Sequence, residues 1–232
     1  MEDHEDDTEP GWRNRVLERS LGKATRRSLD RGAALVTAAG TLLDRSNGDG
    51  FTVQEVADEA GQSLRSFYRH FSSKDDLLLA VLEESTLNYV HSIEREASAF
   101  DDPLDRLAAA LFAANRLPDL NRPGRNVGLS RLHLELAEAD PEGVARTREP
   151  VALLYRTLIA DAEAAGRIGP IDPEVGAYML MVLTATFAIH RTLGNEFGHR
   201  LPSVEEHVAY CLQGLSAKLE PGWEARFTQV TT

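Results

Sequence analysis

The side chains with the clearest chemical potential are Gln62, Ser63, Arg65 and Ser66, which lie within one short stretch of the chain. Arginine can form a bidentate hydrogen bond to guanine in the major groove of DNA, and glutamine and serine can bond other base edges. Such side chains read sequence when they lie at the N-terminal end of a helix that enters the groove. The four residues therefore predict a base-reading surface, with Arg65 as the guanine contact.

Thr52, Tyr68, His70 and Lys74 flank this group. Their side chains can bind phosphate oxygens, which orients a protein on DNA without reading sequence. A residue at the start of a helix, as we expect for Thr52, also lies where phosphate is favoured. We therefore expect these four residues to complete a DNA-binding surface.

Two short helices must position these side chains. Thr52 and Glu55 form the Thr-x-x-Glu pattern of a capping box, in which each side chain bonds the backbone N–H of the other. Gly61 follows the last apolar residue of that helix and can adopt the left-handed conformation that ends it. Ser63 can cap the next helix. Two helices joined by a short turn that contains glycine predict a helix-turn-helix over residues 52–71.

The second helix should run from about Leu64 to His70. Its apolar residues follow helical spacing and should pack inward. These are Leu64, Phe67, Tyr68 and Phe71. An ordinary helical hairpin with a solvated polar face would show the same pattern, so the spacing alone leaves both interpretations open.

The block Arg31–Val81 resembles the N-terminal domain of TetR-type transcriptional regulators. The matching segments are ALVTAAGTLLDR and GFTVQEVADEAGQSLRSFYRHFSSKDDLLLAVLEE, and the most specific part is Phe67–Lys74. The resemblance implies an all-α fold, with a three-helix DNA-binding domain followed by a helical domain for ligand binding and dimerisation. Gln62 departs from the family, which usually has a small apolar residue there. An outward Gln62 would read a base, whereas an inward one needs a hydrogen-bond partner, because a buried unpaired amide is costly.

The charge distribution supports the same location for DNA binding. The formal net charge is −12, but residues 1–10 carry −6 and residues 75–232 carry −10. Residues 11–74 hold eleven basic and seven acidic residues, a surplus of +4. Acidic groups beyond about 8 Å are largely screened at physiological ionic strength. The basic surplus therefore lies on the predicted DNA-binding segment.

Other sequence features bear on compartment and chemistry. Cys211 is the single cysteine, which fits a reducing cytoplasm, and we expect a buried, inert thiol. The chain has neither a long apolar run nor a basic-then-apolar leader, so we predict no membrane span and a cytoplasmic location. His133 and Glu135 point to different helix faces, and no zinc spacing or phosphate-binding loop occurs. We therefore predict no metal, no cofactor and no enzyme activity.

The predicted organisation has four parts. Residues 1–27 form an acidic disordered start and a basic arm, which either extends the first helix or reaches DNA. Residues 28–81 form the DNA-binding domain, whose first helix runs from about 28 to 44. Residues 82–220 form the second domain, and residues 221–232 form a tail. A long helix from Lys74 to about Ala97 joins the two domains, and further helices are expected over 103–117, 125–138, 142–166, 173–193 and 203–219.

The resemblance also predicts a ligand pocket and a homodimer interface in the second domain. Pockets are mostly apolar with a few placed polar groups. The candidates for ligand binding are Phe112, Asn115, His133, Tyr155, Tyr178, Met181, Phe187 and His190. Plain core is the favoured alternative for each of them. The last two long helices should pair two subunits, because EVGAYMLMVLTATFAIHRTL is apolar around much of its circumference. Both helices could instead be monomer core.

Together these features predict a homodimeric transcriptional repressor that leaves a palindromic operator when it binds a small apolar or amphipathic ligand. The alternative is a helical ligand-binding or protein-interaction module whose helix-turn-helix does not dock on DNA. The sequence does not specify the operator, the ligand, the regulated genes or the sign of regulation.

Overall fold

The computed structural model describes residues 11–46, 50–116, 132–193, 200–217 and 219–228. These residues form helices and turns without any strand, which confirms the all-α prediction. The helices are α1 Gly11–Ser46, α2 Val53–Glu59, α3 Leu64–His70, α4 Lys74–Ala97, α5 Pro103–Arg116, α6 132–139, α7 Pro141–Ala164, α8 Pro173–Leu193, α9 Val204–Gly214 and α10 Ala225–Thr228.

Helix α1 is longer than predicted. It has 36 residues and begins at Gly11, so the basic arm continues the first helix instead of preceding it. No proline interrupts this helix, and each of its interior glycines, Gly22, Gly32 and Gly40, costs only about 1 kcal/mol. At 1.5 Å per residue the helix is about 54 Å long. The acidic residues 1–10 lie outside the described part of the chain.

The first of two hydrophobic cores lies beneath the predicted helix-turn-helix. Leu35 and Ala39 of α1, Val56 of α2, Phe67 of α3 and Leu77 of α4 are all fully buried in it. Apolar residues at these spacings give each short helix one buried face. Packing against α1 and α4 therefore holds α2 and α3, which are too short to be stable alone.

The second core lies between the C-terminal half of α4 and helices α5, α7, α8 and α9. Helix α4 contributes to both cores, with Leu82 in the first and Val90 in the second. The segment predicted as a tail is partly core as well, because Trp223 and Phe227 are buried against α5. Large aromatic side chains favour burial, and this explains why the chain returns to the core here. Residues 229–232 lie outside the described part.

Helix α6 packs on the first core, although it belongs by sequence to the predicted second domain. Leu132 and Leu136 of α6, and Val144 at the start of α7, are buried against the DNA-binding helices. The predicted domain boundary at residue 81 thus remains an expectation. The first core itself extends past this boundary, because residues of α4, α6 and α7 pack in it.

Candidate nucleic-acid interface

The turn between α2 and α3 is built as the sequence predicts. The Thr52 N–H donates to Glu55 Oε2 at 2.7 Å, and the Glu55 N–H donates to Thr52 Oγ1 at 3.2 Å, which completes the capping box. These hydrogen bonds from Thr52 lower the pKa of the Glu55 carboxyl. Gly61 has φ +62°, and the N–H of Gln62 donates to Ala57 O at 2.8 Å. This left-handed closure ends α2 and fixes the direction of α3.

Helix α3 presents a polar N-terminus and a narrower apolar face than predicted. Ser63 caps it by accepting from the Ser66 N–H at 3.2 Å. Phe67 is fully buried, but Leu64 is 38% exposed and Tyr68 is 59% exposed. The prediction that these two pack inward is therefore wrong. A seven-residue helix can bury only a narrow stripe, and Tyr68 contacts Phe67 edge-on while most of the residue stays exposed.

Gln62 links α3 to α1. Its Nε2 donates to the carbonyl oxygen of Arg31 at 2.9 Å, and its Oε1 accepts from the Ser66 hydroxyl at 2.7 Å. Arg69 in turn donates to Ser66 Oγ at 3.4 Å. Of the two orientations considered for Gln62, the structure has the inward one with partners at both ends of the amide. Both ends of the Gln62 amide are hydrogen-bonded within the protein, so this side chain positions α3 against α1.

An open groove borders the N-terminal end of α3. Its lining residues are Arg31, Ser63, Arg65, Ser66, Tyr68 and Arg69. Three guanidinium groups and no carboxylate belong to this lining, so the groove favours a polyanion. Arg31, which comes from α1, was given no role by the sequence analysis because it lies outside the 52–71 motif. The structure brings it to the predicted base-reading residues through the Gln62 contact.

The remaining predicted phosphate contacts lie outside this groove. The Thr52 hydroxyl serves the capping box. Burial, followed by the charges of Arg69 and Arg31, lowers the pKa of His70, which disfavours the charged ring that a phosphate contact needs. Lys74 is half-buried, with Nζ 4.9 Å from the ring centre of Phe51. It lines a small crevice with Leu132 and Glu135 beside α6.

A group of buried polar atoms lies in the second core. Asn115 Oδ1 is buried and lacks a hydrogen-bond partner among the described residues, and the buried hydroxyl groups of Tyr155 and Thr184 have no partner there other than each other. Burial raises the pKa of Tyr155, which therefore stays a neutral phenol. Such orphaned groups cost stability unless something bonds them.

Aromatic and basic side chains adjoin these atoms. Phe187 stacks on His207 with ring centres 4.3 Å apart, and the Arg191 guanidinium lies 5.7 Å from the Phe187 ring. Arg191 also donates to the carbonyl oxygen of Asn115 at 2.8 Å. Cys211 is buried as predicted, and burial raises its pKa to about 12, so it remains a thiol.

The other predicted ligand contacts do not all join this group. Phe112 packs on Trp223 and Phe227. His133 contacts Arg148 near the first core, where burial and then the Arg148 charge lower its pKa to about 4. Met181 and His190 are half-buried on α8. Tyr178 is 61% exposed, so it does not line the interior. It follows the buried Ala177 by one residue, and the 100° helical step turns it outward.

Residues 35–81 match the family model described as bacterial regulatory proteins, tetR family. One relative is the HTH-type transcriptional activator FasR from Mycolicibacterium smegmatis (strain ATCC 700084 / mc(2)155). It is 37% identical over 83 residues, which cover 36% of this chain and 37% of FasR. Residues 35–81 therefore match the N-terminal domain of tetR-family regulators. The predicted resemblance to TetR-type regulators is thereby confirmed for this segment.

Further similarity to tetR-family proteins extends beyond the motif. The HTH-type transcriptional regulator HbdR from Aromatoleum sp. (strain CIB) is 28% identical over 191 residues, or 81% of this chain and 78% of HbdR. A crystal structure of AibR in complex with isovaleryl coenzyme A and operator DNA superposes with a TM-score of 0.53 at 17% identity. It covers 81% of this chain and 100% of AibR. At that identity the likeness shows a shared fold.

Among the described residues, no three His, Cys, Asp or Glu side chains form a group that could hold a metal ion. Within the same ranges, no helix has the length and apolarity to cross a membrane.

Proposed function

We propose that this protein is a homodimeric repressor that binds an inverted-repeat operator through α3 and leaves it when a small molecule binds the helical body. The observation that carries the proposal is the groove with Arg31, Arg65 and Arg69 at the capped N-terminus of α3. Although the net charge of the chain is −12, three guanidinium groups lie together where the proposed recognition helix begins. Arg65 and the neighbouring serines then read base edges.

The support for a homodimer is an exposed apolar stripe on α8. Val175, Tyr178, Met179 and Val182 are 40% to 61% exposed and follow the spacing i, i+3, i+4, i+7. Tyr210 on α9 is 67% exposed. A second copy of the chain would cover this stripe, and the two-fold axis would present two recognition helices about 34 Å apart, one turn of DNA.

The support for a ligand site is the group formed by Asn115, Tyr155 and Thr184. These buried polar side chains belong to α5, α7 and α8, whose other buried residues are largely apolar, and they lack hydrogen bonds to the rest of the described chain through Asn115 Oδ1 and the two hydroxyls. A small, largely apolar molecule with one or two neutral polar groups would satisfy them. AibR, which shares the fold, is known in complex with isovaleryl coenzyme A and operator DNA, so a ligand-responsive regulator of this fold has a precedent.

Helices α4, α6 and α7 provide the connection between this group and the DNA-binding helices. Tyr89 of α4 donates to the carbonyl oxygen of Ala114, next to Asn115, at 3.3 Å. Helix α6 packs on the first core through Leu132 and Leu136. A ligand that separates α5 from α7 would therefore favour a different position of α4 and α6. Release then follows as a population shift, provided that the ligand binds that state more tightly.

Selection from a random duplex DNA library tests the proposal. We expect an inverted repeat, with affinity that falls steeply as salt rises, because each neutralised phosphate releases counterions. Weak, sequence-blind binding would instead favour the helical module whose motif does not dock on DNA. A promoter reporter carrying the selected site then gives the sign of regulation. Higher transcription with the protein present would contradict repression and match the activity named for FasR.

A further inference from the structure

A series of hydrogen bonds runs from α1 along one side of α3. Gln62 Nε2 donates to the carbonyl oxygen of Arg31 at 2.9 Å, and the Ser66 hydroxyl donates to Gln62 Oε1 at 2.7 Å. Arg69 Nη2 then donates to Ser66 Oγ at 3.4 Å. Gln62 and Ser66 are half-buried, whereas Arg69 is exposed. We call these contacts the Gln62 network, and it ends at a charged group that faces solvent.

The Gln62 network limits what the Ser66 hydroxyl can do. A hydroxyl group has one donor and two acceptor sites. In Ser66 the donor is committed to Gln62, and an acceptor site faces the Arg69 guanidinium. Ser63 differs, because its cap bond to the Ser66 N–H uses an acceptor site and not the donor. Ser66 is therefore less suited than Ser63 to donate to a base edge.

The Arg69 guanidinium shares its surroundings with Arg31 of α1. Both residues are exposed, and both line the groove at the start of α3. Burial, and then the charges of Arg69 and Arg31, lower the pKa of His70, so both guanidinium groups lie close to one imidazole ring. Like charges held near each other repel, and an anion between them relieves that repulsion. The two arginines therefore form a pair that favours phosphate.

The position of Arg69 in α3 separates its role from that of Arg65. Arg65 lies in the first turn of the helix, and Arg69 lies in the last. Residues at the start of a recognition helix contact base edges, whereas contacts to phosphate fix the register of the protein on the duplex. Guanidinium groups bind phosphate through two parallel hydrogen bonds, so their orientation matters. A residue that fixes the direction of Arg69 would therefore change affinity without changing which bases are read.

We propose that Gln62 and Ser66 are positioning residues, which hold Arg69 beside Arg31 so that the two guanidinium groups bind phosphates of one DNA strand. This inference rests on the proposed DNA-binding function and narrows it. Ser66 then acts through Arg69, while Arg65 and Ser63 keep the base-reading role. Because phosphates are the same at every base pair, the arginine pair adds affinity at all sequences alike.

A double-mutant cycle tests the Gln62 network. Ser66→Ala removes the hydroxyl, Arg69→Gln removes the charge that it orients, and a third variant carries both substitutions. Affinity for the selected operator and the slope of log K against log salt are measured for each. Such a cycle isolates the coupling between two side chains. The matched control is Ser92→Ala, which removes a half-buried serine from α4 in the helical body.

We expect Arg69→Gln to lower the salt slope by about 0.9 per bound protomer, because one phosphate is no longer neutralised. Ser66→Ala should weaken binding about 3- to 10-fold, the effect of one lost hydrogen bond, and leave the preferred sequence unchanged. In the Arg69→Gln background the same substitution should change affinity by less than about 2-fold. Ser66→Thr keeps the hydroxyl and should bind like the wild type, as should the Ser92→Ala control.

A further variant tests the other half of the arginine pair. Arg31→Gln removes the charge but keeps the backbone carbonyl that Gln62 bonds. We expect the salt slope to fall by about 0.9 per bound protomer, again with the same preferred sequence. Arg95→Gln, which removes an exposed charge from α4, should change neither quantity. An unchanged slope in Arg31→Gln would remove Arg31 from the pair and overturn the proposed arrangement.

Two results of the cycle would also overturn the inference. A loss of equal size from Ser66→Ala with and without Arg69 would show that the hydroxyl does not act through that guanidinium. A changed preference at one position of the half-site would instead make Ser66 a base contact. A wild type that selects no sequence at all removes the proposed function, whereas a selected site with either of these results removes only the Gln62 network.

Discussion

Arg65 is the residue whose substitution should change what the protein reads. It is exposed at the first turn of α3 and lines the groove. Arg65→Ala should cost about 1–3 kcal/mol of binding free energy and relax preference at one position of each half-site. Repeated library selection measures both effects, with Arg95→Ala on the body side of α4 as the control. An unchanged preference would show that Arg65 does not contact a base.

Gln62 should instead act on every sequence alike. Both ends of its amide are bonded within the protein, so Gln62→Ala loosens α3 from α1. We expect a loss of about 1–3 kcal/mol in the free energy of unfolding, with weaker binding to all sites and an unchanged preference. Denaturant titration and site selection provide the readouts. Gln54→Ala is the control, because Gln54 bonds only Asp58 within α2. A position-specific change in preference would mean that Gln62 reads a base.

We expect His133 to make the free energy of unfolding depend on pH. Burial and then the nearby Arg148 charge depress its pKa to about 4 in the folded protein, whereas an unfolded histidine titrates near 6.5. Between these values the unfolded chain binds more protons, so the free energy of unfolding falls as the pH decreases. His133→Gln should flatten this dependence between about pH 6.5 and 4. The exposed His91→Gln should not, and an equal effect of both would remove the assignment to His133.

At the scale of helices, the sequence correctly predicted where a helix begins or ends when that position depends on neighbouring residues. The caps at Thr52 and Ser63, the left-handed Gly61 and the start of α4 at Lys74 all follow from nearest neighbours, and the structure confirms them. Features set by contacts between distant segments were missed. These include the packing of α6 on the first core and the return of Phe227 to α5.

The candidate nucleic-acid interface shows the same difference between local features, which were predicted, and tertiary contacts, which were missed. Residues in sequence with the motif, such as Arg65, were predicted to line one surface and do so. Arg31 was missed because only the tertiary contact between α1 and α3 brings it there. The sequence analysis placed Tyr68 both on the inward face of α3 and among the phosphate contacts. Helical periodicity could not decide between these two positions, because a short helix buries few residues. Side-chain partners of Gln62 depend on the same tertiary contact.

Lys74, the first residue of α4, has two possible roles that a substitution can distinguish. The sequence favours a phosphate contact, which would lower the salt slope by about one unit on substitution. The structure places Nζ over Phe51 in the crevice beside α6. We expect Lys74→Ala to leave the salt slope unchanged and to lower the free energy of unfolding by about 0.5–1 kcal/mol. Arg69→Ala, in the groove, should lower the slope. Equal slope changes in both variants would restore Lys74 as a phosphate contact.

At the scale of the whole molecule, charge and apolar surface are separated. The basic surface lies on α1 and α3, while the exposed apolar stripe lies on α8 in the acidic body. Helix α4 extends through both cores between them. This separation suits an assembly in which one face binds DNA and another pairs subunits, because neither surface competes with the other.

The pairing surface yields the last prediction. Met179 and Val182 are 52% and 40% exposed in the middle of the α8 stripe. Met179→Glu/Val182→Glu would bury four carboxylates near a two-fold axis, and like charges removed from water oppose association strongly. We expect a monomer by analytical ultracentrifugation, with the helical content of the wild type and with loss of cooperative binding to the inverted repeat.

Leu87→Glu is the control for the pairing surface. Leu87 is an exposed apolar residue on α4, 43% exposed, so its substitution adds charge without touching the stripe. The control should remain a dimer with wild-type affinity for the full repeat. The α8 variant should still contact a single half-site weakly, because its groove is intact. A dimeric α8 variant would place the subunit interface elsewhere, and a monomeric wild type would remove the two-fold geometry from the proposed mechanism.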